Sequence, residues 1–556
     1  MSDTQRLAQL DHRHVWHPFT PMRQWREQPP LVIDRAEGFH LIDTDGHRYI
    51  DGVSSLWCNV HGHRVPEIDQ AIRDQLGKVA HTTLLGLASP PSIEFAKMLC
   101  DQVNAELQPP PATPNRNGDS TARIPRSTIS DPPLLTKVFY SDAGATAVEV
   151  AFKMAVGYWH HTGQPDKTKF IGLAGAYHGD TTGSMSVGYS DLFHKPFISM
   201  VFDVSTFPAP QAAGCAAAAG LSIDNTNTAS PPKSPPAPVG GAVSGGTALN
   251  SLPPQTPRGN NVGVFPSEDE KLCSTLMQHS LTALDDLLKE QAHQTAAVVI
   301  EPVMQGAAGM VCQPPGFVRA VRELCDKYHV LLIADEVATG FGRTGKFLAC
   351  AHDGVTPDIL CLAKGITGGY LPLAVTITTD EIEDAFTGES DERPAKTLYH
   401  GHTYTGNPLA CAAAIASLNL FNQNNTLAHA NQSAQLIADK LNALRGCPGV
   451  LDIRQRGLMV GIELRQIAEV GSLKSEVASS PHQHSALTDQ TSNSGVDFSA
   501  RTGAKLCKAM LPKGLIIRPL GDTLVLMPAP AMDHETLAQM LDIVVDTLGN
   551  CQFDTI

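Results

Sequence analysis

The chain has 556 residues, with 41 basic against 56 acidic side chains and a net charge of −15 at pH 7. So acidic a chain is a poor partner for nucleic acid, whose phosphates are neutralised by Lys and Arg, and it holds no apolar run long enough to span a bilayer. A hydrophobic content of 42% and a mean hydropathy of −0.09 describe a globular protein of more than one domain.

The polar start, MSDTQR, lacks the apolar stretch of a signal peptide, so the expected location is the cytoplasm. Residues 39–43 and 48–51, joined by a turn containing Gly46, predict a hairpin. A strand is predicted at 137–141 and a helix over 145–160. Strands follow at 169–173 and 296–300, then a helix over 316–328 and strands at 329–334, 358–362 and 373–377. These runs are apolar on both faces and alternate with helical patterns. They predict an α/β fold with a mainly parallel sheet covered on both sides. Beyond 378, long helical patterns give way to short strands near 459–464 and 524–527, a smaller α+β unit. The expected division is an N-terminal segment 1–65 that joins the small domain, a large domain 66–377 and a C-terminal small domain 378–556.

Three stretches break the pattern: 108–133, 208–268 and 467–497. They are rich in Pro, Ser, Asn, Gly or Gln and have too little apolar surface to offset the entropy of ordering, so they read as surface insertions. None of the 12 cysteines forms a C-x-x-C pair, and buried thiols are expected rather than disulfides. The pairs His61/His63 and His482/His484 have no Cys or carboxylate at ligand spacing, so no metal is expected.

Ligands of open α/β sheets bind beyond the carboxyl ends of the strands. The polar residues just past the predicted strands are Asp142, Glu301, Asp335 and Lys364. Pyridoxal phosphate needs a Lys to carry it, an acid to keep its ring nitrogen protonated, a cradle for its phosphate and a cover for its ring. Lys364 and Asp335 match the first two needs. The run DAGAT (142–146), opening a helix, matches the third, because small residues let backbone N–H groups approach an anion at the positive end of the helix dipole. Tyr177 matches the fourth. Taken singly, each has a plainer reading: a helix cap for the 142–146 run and for a strand-end Asp, a solvated side chain for Lys364, a core aromatic for Tyr177.

The run LIADEVATGFGRTG (332–345) resembles the signature of class III (subgroup II) pyridoxal-phosphate aminotransferases, and DILCLAKGITGG (358–369) resembles their lysine segment. Further pieces are WHPFT (16–20), DGVSSLW (51–57), YHGD (177–180), HGHTY (400–404) and IRPLG (517–521). These are similar to the members of that family that pass an amino group from S-adenosylmethionine to 8-amino-7-oxononanoate in biotin biosynthesis. The resemblance covers nearly the whole chain outside the three insertions. It implies a fold type I pyridoxal-phosphate-dependent transferase, a homodimer with shared sites. In the implied roles, Lys364 carries the cofactor and moves the proton, and Asp335 pairs with the ring nitrogen. Gly144 and Ala145 bind phosphate through their backbone, and His402 and Thr403 match a phosphate-binding stretch supplied by the neighbouring subunit. Trp57, Tyr177 and Gly401 match substrate-contacting positions, and Arg518 matches the arginine that grips the oxononanoate carboxylate. Without the resemblance, Trp57 reads as core and Arg518 as surface.

Three positions depart from the family pattern. Phe19 stands at a substrate-binding position where Tyr is usual, so its hydroxyl is missing. His402 replaces a frequent Pro, and Ala145 a frequent Ser. The Phe19 departure keeps open another class III aminotransferase reaction, with an ω-amino acid or lysine as donor. The run GFGRTG (340–345) formally matches a dinucleotide fingerprint, but it neither follows its strand directly nor opens a helix, so a dehydrogenase is not expected.

Overall fold

In the computed structural model, residues 2–107, 133–210, 269–387, 396–464 and 502–550 are described. The three predicted insertions lie outside these residues, except for 133 and 208–210. The first sheet begins with β1 (Ile33–Glu37), β2 (His40–Asp43) and β3 (Arg48–Asp51), all antiparallel, which contain the predicted hairpin. Its turn is set by Asp43, whose Oδ1 accepts the N–H groups of Asp45 and His47 at 3.0 and 2.8 Å.

The large sheet comprises β4 (Leu135–Ser141), β5 (Lys169–Leu173), β6 (Ser205–Phe207), β7 (Thr295–Ile300), β10 (Leu331–Asp335), β11 (Ile359–Leu362) and β12 (Ala374–Thr379). Its spatial order is β4-β12-β11-β10-β7-β5-β6. Every residue of β7, β10 and β11 is buried, which suits the centre of a sheet covered on both faces. Side chains alternate between two cores. Val298, Ile300, Leu332 and Leu360 pack towards the helices Pro90–Leu107 and Phe317–Tyr328. Ala297, Val299, Ile333 and Ile359 face Ala147, Ala151 and Phe152 of the helix Gly144–His161.

Two details differ from the sequence reading. Strand β12 is antiparallel to both neighbours. The link from β11 holds only a single short turn, Lys364–Thr367, and a parallel return needs a longer crossover. The strand expected from 329 starts at Leu331, because His329 takes a left-handed conformation (φ 52°, ψ 54°) and ends the preceding helix.

The third sheet, in the order β13-β14-β17-β16, is fully antiparallel: β13 (Val450–Arg456), β14 (Met459–Leu464), β17 (Thr523–Leu526) and β16 (Arg518–Leu520). Its core is closed by the helices Thr426–Leu441, Thr502–Met510 and His534–Gly549. Strand β15 (Leu515–Ile516) leaves this region and pairs in parallel with β3, so segments from both chain ends share one sheet. A ribbon of β8 (Met304–Gln305) and β9 (Val311–Cys312) inserts between the sheets, where Met304 and Met310 pack on Met459 and Met527. The helix Pro408–Gln423 lies beyond the expected boundary at 377/378, yet Ala410, Ala414 and Leu418 pack it into the core of the large sheet. Among the described residues, no helix is long and apolar enough to cross a membrane.

Candidate active site

Strands β4, β7, β10 and β11 run in one direction, so the residues just past their carboxyl ends converge on one edge. There they open a cavity of about 650 Å³ lined by Asp142, Gly144, Ala145, Tyr177, Asp335 and Lys364, among others. Trp57, from the first sheet's side of the molecule, completes the wall.

Asp335, the last residue of β10, is 4% exposed. Its Oδ2 accepts a hydrogen bond from His178 Nδ1 at 2.7 Å, and its Oδ1 accepts the Val337 N–H at 3.0 Å. Burial alone would hold His178 neutral, but the bond to Asp335, with the charges of Asp335 and Glu301, outweighs it and raises the imidazole pKa. The other ring nitrogen of His178 is buried with no hydrogen-bond partner among the described residues. Glu301 is buried past the end of β7, its oxygens accepting the N–H groups of Tyr177 and Gly306 at 3.0 Å each. Burial pushes its carboxyl up to about 7, against the pull of His178 and those two donors. Burial likewise lowers the Lys364 amine, partly offset by Asp335 and Glu301, and a depressed amine is a better nucleophile at neutral pH.

The third feature is the start of the helix Gly144–His161. The Ala143 N–H is taken by the Thr146 hydroxyl at 3.0 Å, whereas Gly144 and Ala145 occupy the first turn, whose N–H groups have no intrahelical partner. A Cβ at 144 would stand 2.6 Å from Val337 Cγ1, and one at 179 would stand 2.3 Å from Ala145 Cβ. Only glycine fits either place, which keeps this cradle open. The Tyr177 hydroxyl donates to Asp180 at 2.7 Å and its backbone is fixed by Glu301, so the ring is held from both ends. A lysine, a charge-paired carboxylate, an amide cradle and an aromatic wall are the donor set that pyridoxal phosphate requires.

Trp57 reaches the cavity from an unusual backbone. Ser54, Ser55, Leu56 and Trp57 have φ of 51°, 54°, 92° and 72°, four successive left-handed residues without a glycine. Each costs roughly 1–2 kcal/mol, so surrounding contacts must hold the turn. The Trp57 ring centroid lies 4.7 Å from Lys364 Nζ, within cation–π range.

Eight of the residues singled out in the sequence therefore meet in one cavity: Trp57, Asp142, Gly144, Ala145, Tyr177, Glu301, Asp335 and Lys364. Phe19, Gly401, His402, Thr403 and Arg518 do not line it. Phe19 is 62% exposed with φ 50°, and its neighbour Phe193, whose ring lies 5.7 Å from Phe19 and 6.4 Å from Tyr177, stands between it and the site. Gly401, His402 and Thr403 lie on an outer stretch tied to the helix Gly144–His161 by Lys153, which donates to the Tyr399 carbonyl at 2.9 Å. Arg518 is exposed on the edge strand β16. Sequence reasoning gave no role to His178, whose partner lies 157 residues away, although it adjoins Tyr177. Nor did it find the use of Arg343 in the GFGRTG run. This side chain is buried and donates to the carbonyls of Asn59 at 2.8 Å and Pro528 at 2.7 Å, which is a packing role.

A family model described as Aminotransferase class-III matches residues 22–219 and 252–548. Adenosylmethionine-8-amino-7-oxononanoate aminotransferase of Geobacter sulfurreducens is 38% identical over 546 residues, 98% of this chain and 97% of that protein. The protein of the same name from Nitratidesulfovibrio vulgaris is 41% identical over 98% of this chain and 81% of its own length. Among solved structures, the enzyme of that name from Methanocaldococcus jannaschii superposes with a TM-score of 0.74 at 34% identity, covering 99% of this chain and 100% of that one. A PLP-bound amine transaminase from an uncultivated Pseudomonas species gives 0.73 at 26% identity, over 97% of this chain and 99% of that one.

Proposed function

The chain belongs to the class-III aminotransferase family, and on that premise we propose that it moves an amino group from S-adenosylmethionine to 8-amino-7-oxononanoate, yielding 7,8-diaminononanoate for biotin synthesis. The observation that carries amino transfer is the meeting, in one cavity, of the Lys364 amine and the Asp335 carboxylate already held by His178. The two substrates are those in the names of the full-length relatives.

The cofactor is pyridoxal phosphate, in keeping with the family and with the donor set of the cavity. When bound, it supplies an electron-withdrawing ring and a carbonyl that accepts and gives up the amino group. The residues of the chain then have separate tasks. Asp335 would face the ring nitrogen, with His178 fixing the orientation of its carboxylate. The amides of Gly144 and Ala145 would receive the phosphate at the positive end of their helix. Tyr177 and Trp57 wall the site and exclude water. The Lys364 amine would hold the cofactor and, freed when substrate binds, would take a proton from the donor's amine carbon in the first half of the reaction and deliver one to the acceptor's carbonyl carbon in the second, so that the donor's amine becomes a ketone and the acceptor's ketone an amine.

The same reading includes a homodimer acting in the cytoplasm. Tyr399 and Tyr404, 71% and 61% exposed, flank residues 401–403 outside their own cavity. In a dimer this stretch would serve the neighbouring subunit's phosphate cradle. Arg518 and Phe19 are assigned to substrate from outside the cavity wall. Residues 66–377, with the helix Pro408–Gln423 packed into their core, form the cofactor-holding unit, and the rest of the two end segments forms the smaller one.

Purified protein loaded with pyridoxal phosphate and given both substrates should form 7,8-diaminononanoate, detected by mass spectrometry, and Lys364→Ala should form none. Activity with lysine or an ω-amino acid, and none with S-adenosylmethionine, would overturn the donor assignment.

A further inference from the structure

Trp57 stands beside Lys364 on four consecutive left-handed residues, a conformation that residues with side chains do not hold unaided. We propose that Asp51 and His63, neither of which lines the cavity, are positioning residues that lock this turn, fix the Trp57 ring in the cavity wall and thereby set how tightly substrate is held. The proposal rests on reading the cavity as the substrate site.

Asp51 ends β3 and is 3% exposed. Both of its oxygens are directed at Ser55, the second residue of the turn: Oδ1 accepts the Ser55 N–H at 2.9 Å and Oδ2 accepts the Ser55 hydroxyl at 2.7 Å. His63 Nε2 lies 3.1 Å from the same Oδ2 and donates the third hydrogen bond. Burial by itself would raise the Asp51 carboxyl, but the hydrogen bonds from His63 and Ser55 outweigh it and the net shift is downward, so the group stays an anion. An ionised acceptor makes stronger hydrogen bonds than a neutral one. The chain leaving the turn is tied as well. His63 Nδ1 lies 3.5 Å from Asn59 Nδ2, and Asn59 Oδ1 accepts the Gly62 N–H at 2.7 Å. Trp57 thus sits between two anchors, Ser55 and Asn59, that lead to one buried Asp–His pair. The loop of the β8–β9 ribbon also comes close to the ring: a Cβ at Gly306 would stand 3.1 Å from Trp57 Cζ3.

The test uses the full-length cofactor-loaded enzyme, with Asp51→Asn and Ser55→Ala made in the parent and in a Trp57→Phe background. A wall contact made equally in ground and transition states acts on KM. Asp51→Asn should raise KM for 8-amino-7-oxononanoate about tenfold and leave kcat within about threefold. In the Trp57→Phe background the same change should leave KM nearly unaltered, since coupled residues are not additive. The emission of Trp57, taken as parent minus Trp57→Phe, should move to longer wavelength in Asp51→Asn and be quenched more by acrylamide. Equal KM rises in the two backgrounds, or an unmoved Trp57 emission, would overturn the proposal. Should Asp51→Asn not fold, Ser55→Ala removes one hydrogen bond, keeps the carboxylate, and carries the same comparison with a smaller shift. If these substrates are not turned over at all, the reading of the reaction fails, and the emission comparison alone decides the positioning role.

Discussion

Glu301 ties the two aromatic walls together, since one carboxyl accepts from the Tyr177 backbone and from Gly306, which lies against the Trp57 ring. Its raised pKa has a consequence for stability. The folded protein keeps this proton up to about pH 7, whereas the ordinary value is 4.5. Between those values the folded state binds more protons than the unfolded chain, so this group's contribution to stability falls as pH rises. The full effect is on the order of 3 kcal/mol, at about 1.4 kcal/mol per pK unit. Glu301→Gln should lose that slope, giving a flatter curve of denaturation midpoint against pH than the parent; parallel curves would contradict the assignment. Asp335 and Lys364 were legible in the sequence because each follows an apolar run that had to be a central strand, and strand ends are where sheets of this kind bind. The pairing of His178 with Asp335 was not legible, because no local pattern marks a contact made between segments far apart in the chain.

The turn Ser54–Trp57 is an element that sequence patterns do not reveal, because left-handed backbone is normally marked by glycine and none is present there. Its strain can be measured directly. Leu56 has φ 92° and is 51% exposed, so its removal loses little burial. Leu56→Gly should be more stable than Leu56→Ala by about 1 kcal/mol in chemical denaturation, because only glycine relieves the steric cost of that backbone. An alanine variant at least as stable as the glycine variant would show that the turn is unstrained. At the same scale, the helices and central strands follow their apolar periodicity closely. The exceptions have physical causes: a left-handed His329 that shortens β10, and a link too short to let β12 run parallel.

For the whole molecule, the two chain ends meet in one sheet through the pairing of β3 and β15, which brings Trp57 to a cavity otherwise built by the large sheet. Long-range meetings of this kind follow from topology, and the sequence made them visible only through resemblance to a family. The proposed dimer has its own test. Lys364→Ala and Thr403→Ala place their defects in different subunits of one site if residues 401–403 serve the neighbouring cavity. Mixing the two variants under conditions that exchange subunits should restore activity by creating one site with neither defect; no recovery would contradict a shared site. The central claim is that Lys364 holds pyridoxal phosphate opposite Asp335. Borohydride reduction of the loaded protein, followed by peptide mapping, tests it most directly. The added pyridoxyl mass should fall on the peptide that contains Lys364; its appearance on a different lysine, with residue 364 unlabelled, would contradict the account.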